Sequence, residues 1–363
     1  MCGLRGWYFH FPGAYGLNTC GPAISVLETK RPLVSCRQAE RLVRENFGIE
    51  AKATLLTGER DLNFRIESRD GISLLFKIAN SSEEPAIAAL QTRALLHLQH
   101  RCAELPVPRP LPALNGDYDV SIPWGGTRHV IRLMSYLPGR PIPREGVPLV
   151  LMGRVVESLA KLDLALCDFE RPPSRPDLYW DTSRLSHARE HVPEIATEAL
   201  RKAALQFLDL YDNEIAPRLK GLRAQAIHND FNPSNILVSE GGMSVTGIID
   251  FGDMVLAPLV CDLATALAYL LCSVDTPISA LCELVSRYHH IYPLMVDEVD
   301  LLFDLILARL VLIVVLTAWH ARLHPDNQAY ILRNAAGAST CLLKLLPMSR
   351  AEIALTLRHA CEL

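Results

Sequence analysis

The sequence predicts an α+β protein in two lobes, a small β-sheet lobe followed by a mostly helical one. Three observations predict it. The chain has 363 residues, more than one small core needs. Between Ala51 and Ala79 the apolar residues repeat with period two, whereas beyond about residue 148 the helical period dominates. Between these regions lies Ser135-Tyr-Leu-Pro-Gly-Arg-Pro, whose two prolines and glycine interrupt regular structure as a hinge would. The expected divisions are an irregular extension over 1–33, the sheet lobe over 34–134, the hinge over 135–141 and the helical lobe over 142–363.

The elements follow in order. Ser35 with Gln38 has capping-box spacing and opens a helix whose stripe Ala39, Leu42, Val43 and Phe47 ends at Gly48. Strands are predicted over 51–57, through Leu62, Phe64 and Ile66, and over Ile72–Ala79. The turn Gly58-Glu59-Arg60-Asp61 separates the first two, and Asp70-Gly71 the last two. A helix at about 84–101 carries Ile87, Leu90, Ala94, Leu95 and Leu98 on one face. Two further strands flank the turns at Asn115-Gly116-Asp117 and Gly125-Gly126, the second running from about 128 to 134. Beyond the hinge, helices are predicted at about 148–165, 183–191, 194–216, 260–271, 277–291, 296–322, 327–345 and 350–361. A compact β region at about 225–251 interrupts them.

Composition narrows the function. Half of the residues are hydrophobic and 21% are charged, with a net charge of −4 and no long run of Lys or Arg, which argues against a nucleic-acid partner. Ten cysteines are scattered without C-x-x-C pairs, the pattern of buried thiols in a reducing compartment. The first residues lack a continuous apolar segment of the signal-peptide kind. Leu301 to Trp319 is strongly apolar, but Asp304 and Arg309 interrupt it, so a buried core helix is expected rather than a membrane span. A cytoplasmic protein is expected.

The chemistry concentrates in the β region. His228-Asn229-Asp230-Phe231-Asn232-Pro233-Ser234-Asn235 has the spacing H-x-D-x-x-x-x-N, and Ile248-Ile249-Asp250-Phe251-Gly252 ends an apolar strand on D-F-G. In phosphoryl transfer, a loop Asp so placed takes the acceptor hydroxyl's proton, while the Asn and the second Asp hold magnesium against the phosphates. Ile236–Ser239 and Val245–Ile249 read as a hairpin around Glu240-Gly241-Gly242, which would bring Asn235 beside Asp250. Asp230 is thus the candidate base, with His228 orienting its loop, and Asn235 and Asp250 are candidate metal ligands. Lys77, amid apolar residues in the third strand, is the candidate for the α- and β-phosphates. Gly58, Glu59 and Asn63 lie where a phosphate-covering loop should be, without G-x-G-x-x-G. Asp262 opens a helix as an N-terminal cap or charge. His289, His290, His320 and His324 lack metal-site spacing.

These residues resemble the aminoglycoside phosphotransferase and choline kinase superfamily over roughly residues 35 to 345. Within it, Gly58-Glu59-Arg60-Asp61-Leu62-Asn63-Phe64-Arg65, Lys77-Ile78-Ala79-Asn80, Tyr179-Trp180-Asp181 and Ile248-Ile249-Asp250-Phe251-Gly252-Asp253 look most like the hydroxylysine kinase branch. The resemblance implies a protein-kinase-like fold and magnesium-dependent transfer from ATP or GTP to a small amine-bearing alcohol. Ser135 and Leu137 would meet the nucleotide base, Asp253, Trp180 and Asp181 would meet the acceptor, and Asp262 would brace the catalytic loop. By position alone Asp181 reads as the N-cap of a short helix and Asp253 as an exposed loop carboxylate. Homoserine, amino alcohols and aminoglycosides are alternative acceptors, and a nucleotide-binding pseudokinase is the alternative from another class. The chain also departs from the superfamily pattern. Gln91 stands where a Glu usually pairs with the strand lysine, with Glu83 and Glu84 at the start of that helix.

Overall fold

The computed structural model describes residues 32–56, 58, 61–175 and 178–363, so the predicted extension up to residue 31 and Glu59 of the predicted turn lie outside the described residues. Helix α1 (Cys36–Phe47) begins with the predicted capping box: the Gln38 amide donates to Ser35 Oγ, and Gln38 Oε1 accepts from the Ser35 amide. Gly48, at φ 70°, ends it in the left-handed conformation that a residue without Cβ adopts most cheaply. The buried stripe Ala39, Leu42, Val43 and Phe47 packs on the sheet, with Phe47 edge-on to Phe76 at 6.3 Å.

Strands β1 (Ala51–Leu56), β2 (Leu62–Ser68) and β3 (Ser73–Ile78) form an antiparallel meander. Helix α2 (Pro85–Arg101) follows, then β4 (Pro110–Leu111), β5 (Val120–Trp124) and β6 (Thr127–Ser135). The sheet order is β1-β2-β3-β6-β4, with β5 also on β6, and the β3–β6 register sets Lys77 opposite Arg132. Phe64, Ile66, Phe76, Ile78 and Ile131 fill a compact core between sheet and α1. Ala94, Leu95 and Leu98 of α2 belong instead to the larger core, so this helix joins the sheet to the second lobe.

The second lobe begins with β7 (Arg140–Pro141) and α3 (Leu149–Leu166), continues through a 3₁₀ run Thr182–Glu194, and reaches α4 (Glu198–Leu210) and α5 (Ala216–Leu219). A single helix over 194–216 was expected. The backbone is helical from Glu198 to Leu219, with a π turn at Tyr211–Ile215 between α4 and α5, where Pro217 removes an amide and crowds the preceding turn. Four short strands follow: β8 (Ala224–Ile227), β9 (Ile236–Val238), β10 (Val245–Ile248) and β11 (Val255–Pro258). β9 and β10 make the predicted hairpin, with β7 added at its edge. β8 pairs with β11, a contact across the D-F-G segment that local periodicity does not announce.

Helices α6 (Val260–Leu270), α7 (Pro277–Ile291), α8 (Val296–Leu323), α9 (Gln328–Ile331), α10 (Ala335–Leu345) and α11 (Arg350–Ala360) complete the fold. The helix predicted over 327–345 is divided, since Gln328–Asn334 has no buried residue to anchor a regular turn. α8 is long and apolar enough to cross a membrane by length and composition. In this fold, however, 94% of its most apolar window is buried against protein. One of its interrupting charges, Asp304, receives Arg350 at 2.5 and 2.8 Å.

The hinge turns at Gly139, at φ 123°, where an added Cβ would lie 2.4 Å from Thr246 Oγ1 and 2.7 Å from the Val238 carbonyl oxygen. Gly139→Ala should therefore destabilise the protein by about 1–3 kcal/mol and weaken nucleotide binding, because both the backbone angle and the approach to β9 resist it. Urea unfolding with a parallel nucleotide titration checks this; unchanged values for both would remove Gly139 from the hinge constraint.

Candidate active site

A cleft of about 720 Å³ separates the lobes, lined among others by Gly58, Asn63, Lys77, Ser135, Leu137, Asp230, Asn235, Asp250 and Asp253. Its floor is the loop after β8. Asp262, wholly buried in the first turn of α6, accepts the His228 and Asn229 amides, both at 2.8 Å. That grip holds Asn229 at φ 66° and turns Asp230 toward the cleft. The ring of His228 is buried, takes the Asp230 amide at Nδ1 (3.3 Å) and bonds the Ile249 carbonyl through Nε2 (3.1 Å). Nδ1 accepts, so Nε2 carries the proton. With both nitrogens engaged and Phe231 and Phe251 packed on its ring, His228 is placed to orient the loop, as its spacing beside Asp230 suggested.

Asp230 is held from three sides. Asn232 Nδ2 donates to Oδ1 at 2.8 Å, Asn235 Nδ2 donates to Oδ2 at 2.7 Å, and Arg309 Nη2 lies 3.6 Å from Oδ1. Burial, then the nearby Asp253 and Asp250 charges, push its carboxyl up to about 7, while Arg309 and Asn232 favour the ionised form. Because the Asn235 amide nitrogen is committed to Asp230, its amide oxygen is the atom left for a cation. The hairpin sets it beside Asp250, since the Ile249 amide bonds the Asn235 carbonyl at 2.9 Å. Asp250 adopts φ 64° and is half exposed to the cleft, so the two oxygen donors suit a hard divalent ion.

Opposite this floor, Lys77 Nζ contacts Asp61 Oδ2 at 2.7 Å and Asp250 Oδ1 at 3.9 Å. Burial opposes the ammonium's charge, but Asp61 and then Asp250 outweigh it and raise the Lys77 pKa. Asp61 is thus the lysine's counter-ion, a role not anticipated from sequence; its other oxygen takes the Asn80 amide at 2.9 Å. Gln91 faces elsewhere, bridging Glu83 and Arg132 at 2.9 Å each, and Glu84 is exposed. Gly58 approaches the Asn63 amide so closely that a Cβ would sit 2.8 Å from Nδ2. In the hinge, the Ser135 amide is taken by the Arg109 carbonyl at 2.9 Å.

Of the acceptor-side candidates, Trp180 and Asp253 line the cleft and Asp181 does not. The Asp181 carboxylate is 3% exposed and caps the 3₁₀ run through the Ser183 amide and hydroxyl, so of its two expected roles it takes the helix cap and not the substrate contact. Sequence reading also passed over Arg309, the second charge of the apolar run. It is wholly buried on α8, donates to the Trp180 carbonyl at 2.7 Å and lies over the Trp180 and Tyr269 rings at 5.3 and 5.8 Å. Its only sequence signal was a guanidinium in a core helix, which burial makes costly unless a carboxylate answers it.

The chain matches the phosphotransferase enzyme family over residues 53–290. The chain belongs to that family. A hydroxylysine kinase from Danio rerio is 26% identical over 344 residues, covering 91% of this chain and 96% of that relative. In fold the chain is similar to a microcompartment-associated aminopropanol kinase, with TM-score 0.64, 16% identity, and 85% and 98% of the two chains covered. An amicoumacin kinase in complex with AMP-PNP and Ca²⁺ gives TM-score 0.61 at 15% identity, over 83% and 91%. The protein is a phosphotransferase, a kinase acting on a hydroxyl acceptor, with the protein-kinase-like two-lobed fold.

Beneath the loop, Asp163 of α3 accepts the Tyr288 hydroxyl at 2.6 Å, and its second oxygen, which has no hydrogen-bond donor among the described residues, faces Asp262. Burial and the Asp262 charge raise the Asp163 carboxyl well above its ordinary range, the direction expected if a proton shared with Asp262 is kept on folding. The folded protein keeps a proton that the unfolded chain releases near pH 4, so this site loses stability as pH rises from there toward the folded pKa. Asp163→Asn supplies the donor permanently. Its stability relative to wild type should improve by up to about 1.4 kcal/mol per pH unit between pH 5 and 8. Urea unfolding at each pH measures this, and a gap independent of pH would exclude the shared proton.

Proposed function

We propose that this kinase moves the γ-phosphoryl of ATP or GTP to the hydroxyl of a small amine-bearing acceptor, 5-hydroxylysine. What supports the reading most is the convergence of Asp230, Asn235 and Asp250 across one cleft from Lys77, in a chain whose hydroxylysine kinase relatives align along nearly all of its length. The sheet lobe (34–134) would cover the nucleotide, the hinge (135–141) would meet its base through Ser135 and Leu137, and the helical lobe (142–363) would carry acceptor and catalytic loop.

In this mechanism Lys77 exchanges Asp61 for the α- and β-phosphates, and Gly58, Glu59 and Asn63 cover them. Asn235 and Asp250 would hold magnesium, which supplies charge neutralisation at the phosphates when bound. Asp230, fixed by Asn232, Asn235 and Arg309, orients the acceptor hydroxyl and takes its proton late in transfer. Little covalent chemistry falls to the protein; prealigned charge does most of the work. Asp253, buried at the rim beside Asp230, would attract the acceptor's ammonium, with Trp180 as an adjoining wall. Gln91 was the one feature favouring a pseudokinase, and Asp61 supplies the lysine with the counter-ion that Gln91 lacks.

Asp230→Asn should lower kcat by about 10²–10⁴-fold with nucleotide affinity nearly intact; a variant retaining half of the wild-type kcat would exclude Asp230 as base. Asp250→Asn should weaken nucleotide binding and activity together and raise the magnesium requirement, read by titrating the metal. An unchanged requirement would remove Asp250 from the metal site. Steady-state rates for hydroxylysine, homoserine, ethanolamine, choline and kanamycin, each with ATP and with GTP, test the acceptor and the donor. Hydroxylysine should give the highest kcat/KM. If kanamycin does, or if an uncharged polyol matches hydroxylysine, the amino-acid assignment fails and the kinase chemistry stands.

A further inference from the structure

Three arginines are nearly or wholly buried at or just behind the cleft wall, and two of them have carboxylates near. Arg132 lies 4.0 Å from both Glu83 and Asp119, and Arg309 lies 3.6 Å from Asp230. Arg175 differs. It is 8% exposed and lines the cleft, yet its guanidinium has no carboxylate partner among the described residues. Its side-chain hydrogen bond is from Nη1 to the Gly252 carbonyl, at 2.5 Å. A guanidinium taken out of water without a counter-ion is costly, and one hydrogen bond to a neutral carbonyl does not offset that cost. An arrangement of this kind is stable in use when a ligand brings the missing anion.

The position of Arg175 says which ligand. The nucleotide candidates Gly58, Asn63, Lys77, Ser135 and Leu137 belong to the sheet lobe and the hinge. Arg175 belongs to the helical lobe, bonded to the residue just before Asp253, and precedes Trp180 in the chain. The Arg175 carbonyl in turn accepts from the Leu178 amide and from Arg184 Nη1, which ties that segment down and orients the side chain. Arg175 and Asp253 thus place a cation and an anion in the lining of one cleft, the charges that an acceptor carrying both a carboxylate and an ammonium would meet. The planar guanidinium suits a carboxylate, which it can engage through two parallel N–H donors.

We propose that Arg175 is the anion seat of the acceptor pocket and holds the carboxylate of an amino-acid acceptor, so that this residue separates amino acids from amino alcohols. The inference deepens the acceptor assignment above and rests on it. Its test compares 5-hydroxylysine with its decarboxylated counterpart, 1,5-diamino-2-pentanol, in wild type, Arg175→Gln and Arg175→Lys, with thermal melts to establish folding. Wild type should prefer the carboxylate-bearing acceptor by about 10–100-fold in kcat/KM, mostly through KM. In Arg175→Gln that preference should collapse to about threefold or less, and Arg175→Lys, which keeps the charge without the fork, should fall between.

A preference that survives Arg175→Gln overturns the proposal. So does a tenfold rise in nucleotide KM with the acceptor preference intact, which would assign the seat to a phosphate. If hydroxylysine is not phosphorylated, the acceptor reading fails by itself. Homoserine with 3-amino-1-propanol then supplies the same comparison, and a preference for the carboxylate that Arg175→Gln does not reduce overturns the anion seat.

Discussion

The site depends on one buried carboxylate. Asp262 receives two consecutive amides, those of His228 and Asn229, and forces the chain between them and Asp230 into a conformation that a non-glycine residue rarely adopts. Without that acceptor, two backbone donors would be buried and unmet, at about 1–3 kcal/mol each, and the loop would relax. Its direction fixes Asp230, and Asp230 in turn organises Asn232 and Asn235 through their amide nitrogens. The brace is itself supported from below by Asp163 and Tyr288, so Asp230 stands on a polar stack that runs through an otherwise apolar core.

The cleft is a balance of opposed charges rather than a field of one sign. Asp61 and Asp250 favour the ionised form of the partly buried Lys77, whereas at Asp230 Arg309 only partly offsets the burial and the Asp253 and Asp250 charges that push its carboxyl up to about 7. Each pairing reduces the cost of desolvating its partner, and each leaves a group ready to exchange a protein contact for a ligand contact. In the proposed mechanism Lys77 passes from Asp61 to a phosphate, one oxyanion replacing another. That exchange explains how Gln91 can stand at a position where the superfamily commonly has a carboxylate. In this chain the lysine's counter-charge is Asp61, in the turn before β2.

Long α8 shows how one element serves both stability and chemistry. Most of its length is apolar and fills the core of the helical lobe, and its two interior charges are each matched by a distant partner. Asp304 fastens α11 through Arg350, while Arg309 reaches the catalytic loop and the Trp180 segment together. A helix so deeply packed has little freedom to shift, so the guanidinium beside the base is held in place by the packing of the whole lobe.

Local patterns were enough for much of this protein. The capping box at Ser35, the meander through Lys77, the hairpin between Asn235 and Asp250 and the spacing from His228 to Asn235 are each set within a few residues by caps, turns and period, so they can be read along the chain. The phosphotransferase fold and chemistry were legible for the same reason. What the tertiary structure decided are the meetings between segments far apart in sequence. Asp61 pairs with Lys77 across two strands, Arg309 reaches Asp230 from a helix some eighty residues away, and Arg175 reaches Gly252 from a proline-rich loop. Asp181 has the identity of a substrate ligand but is consumed by its own helix cap, a choice that depends on which backbone donors remain unmet after folding. Charge type is written in the sequence, whereas counter-ion, burial and direction depend on how distant segments pack, because burial makes partner choice energetically strict only once water has been excluded.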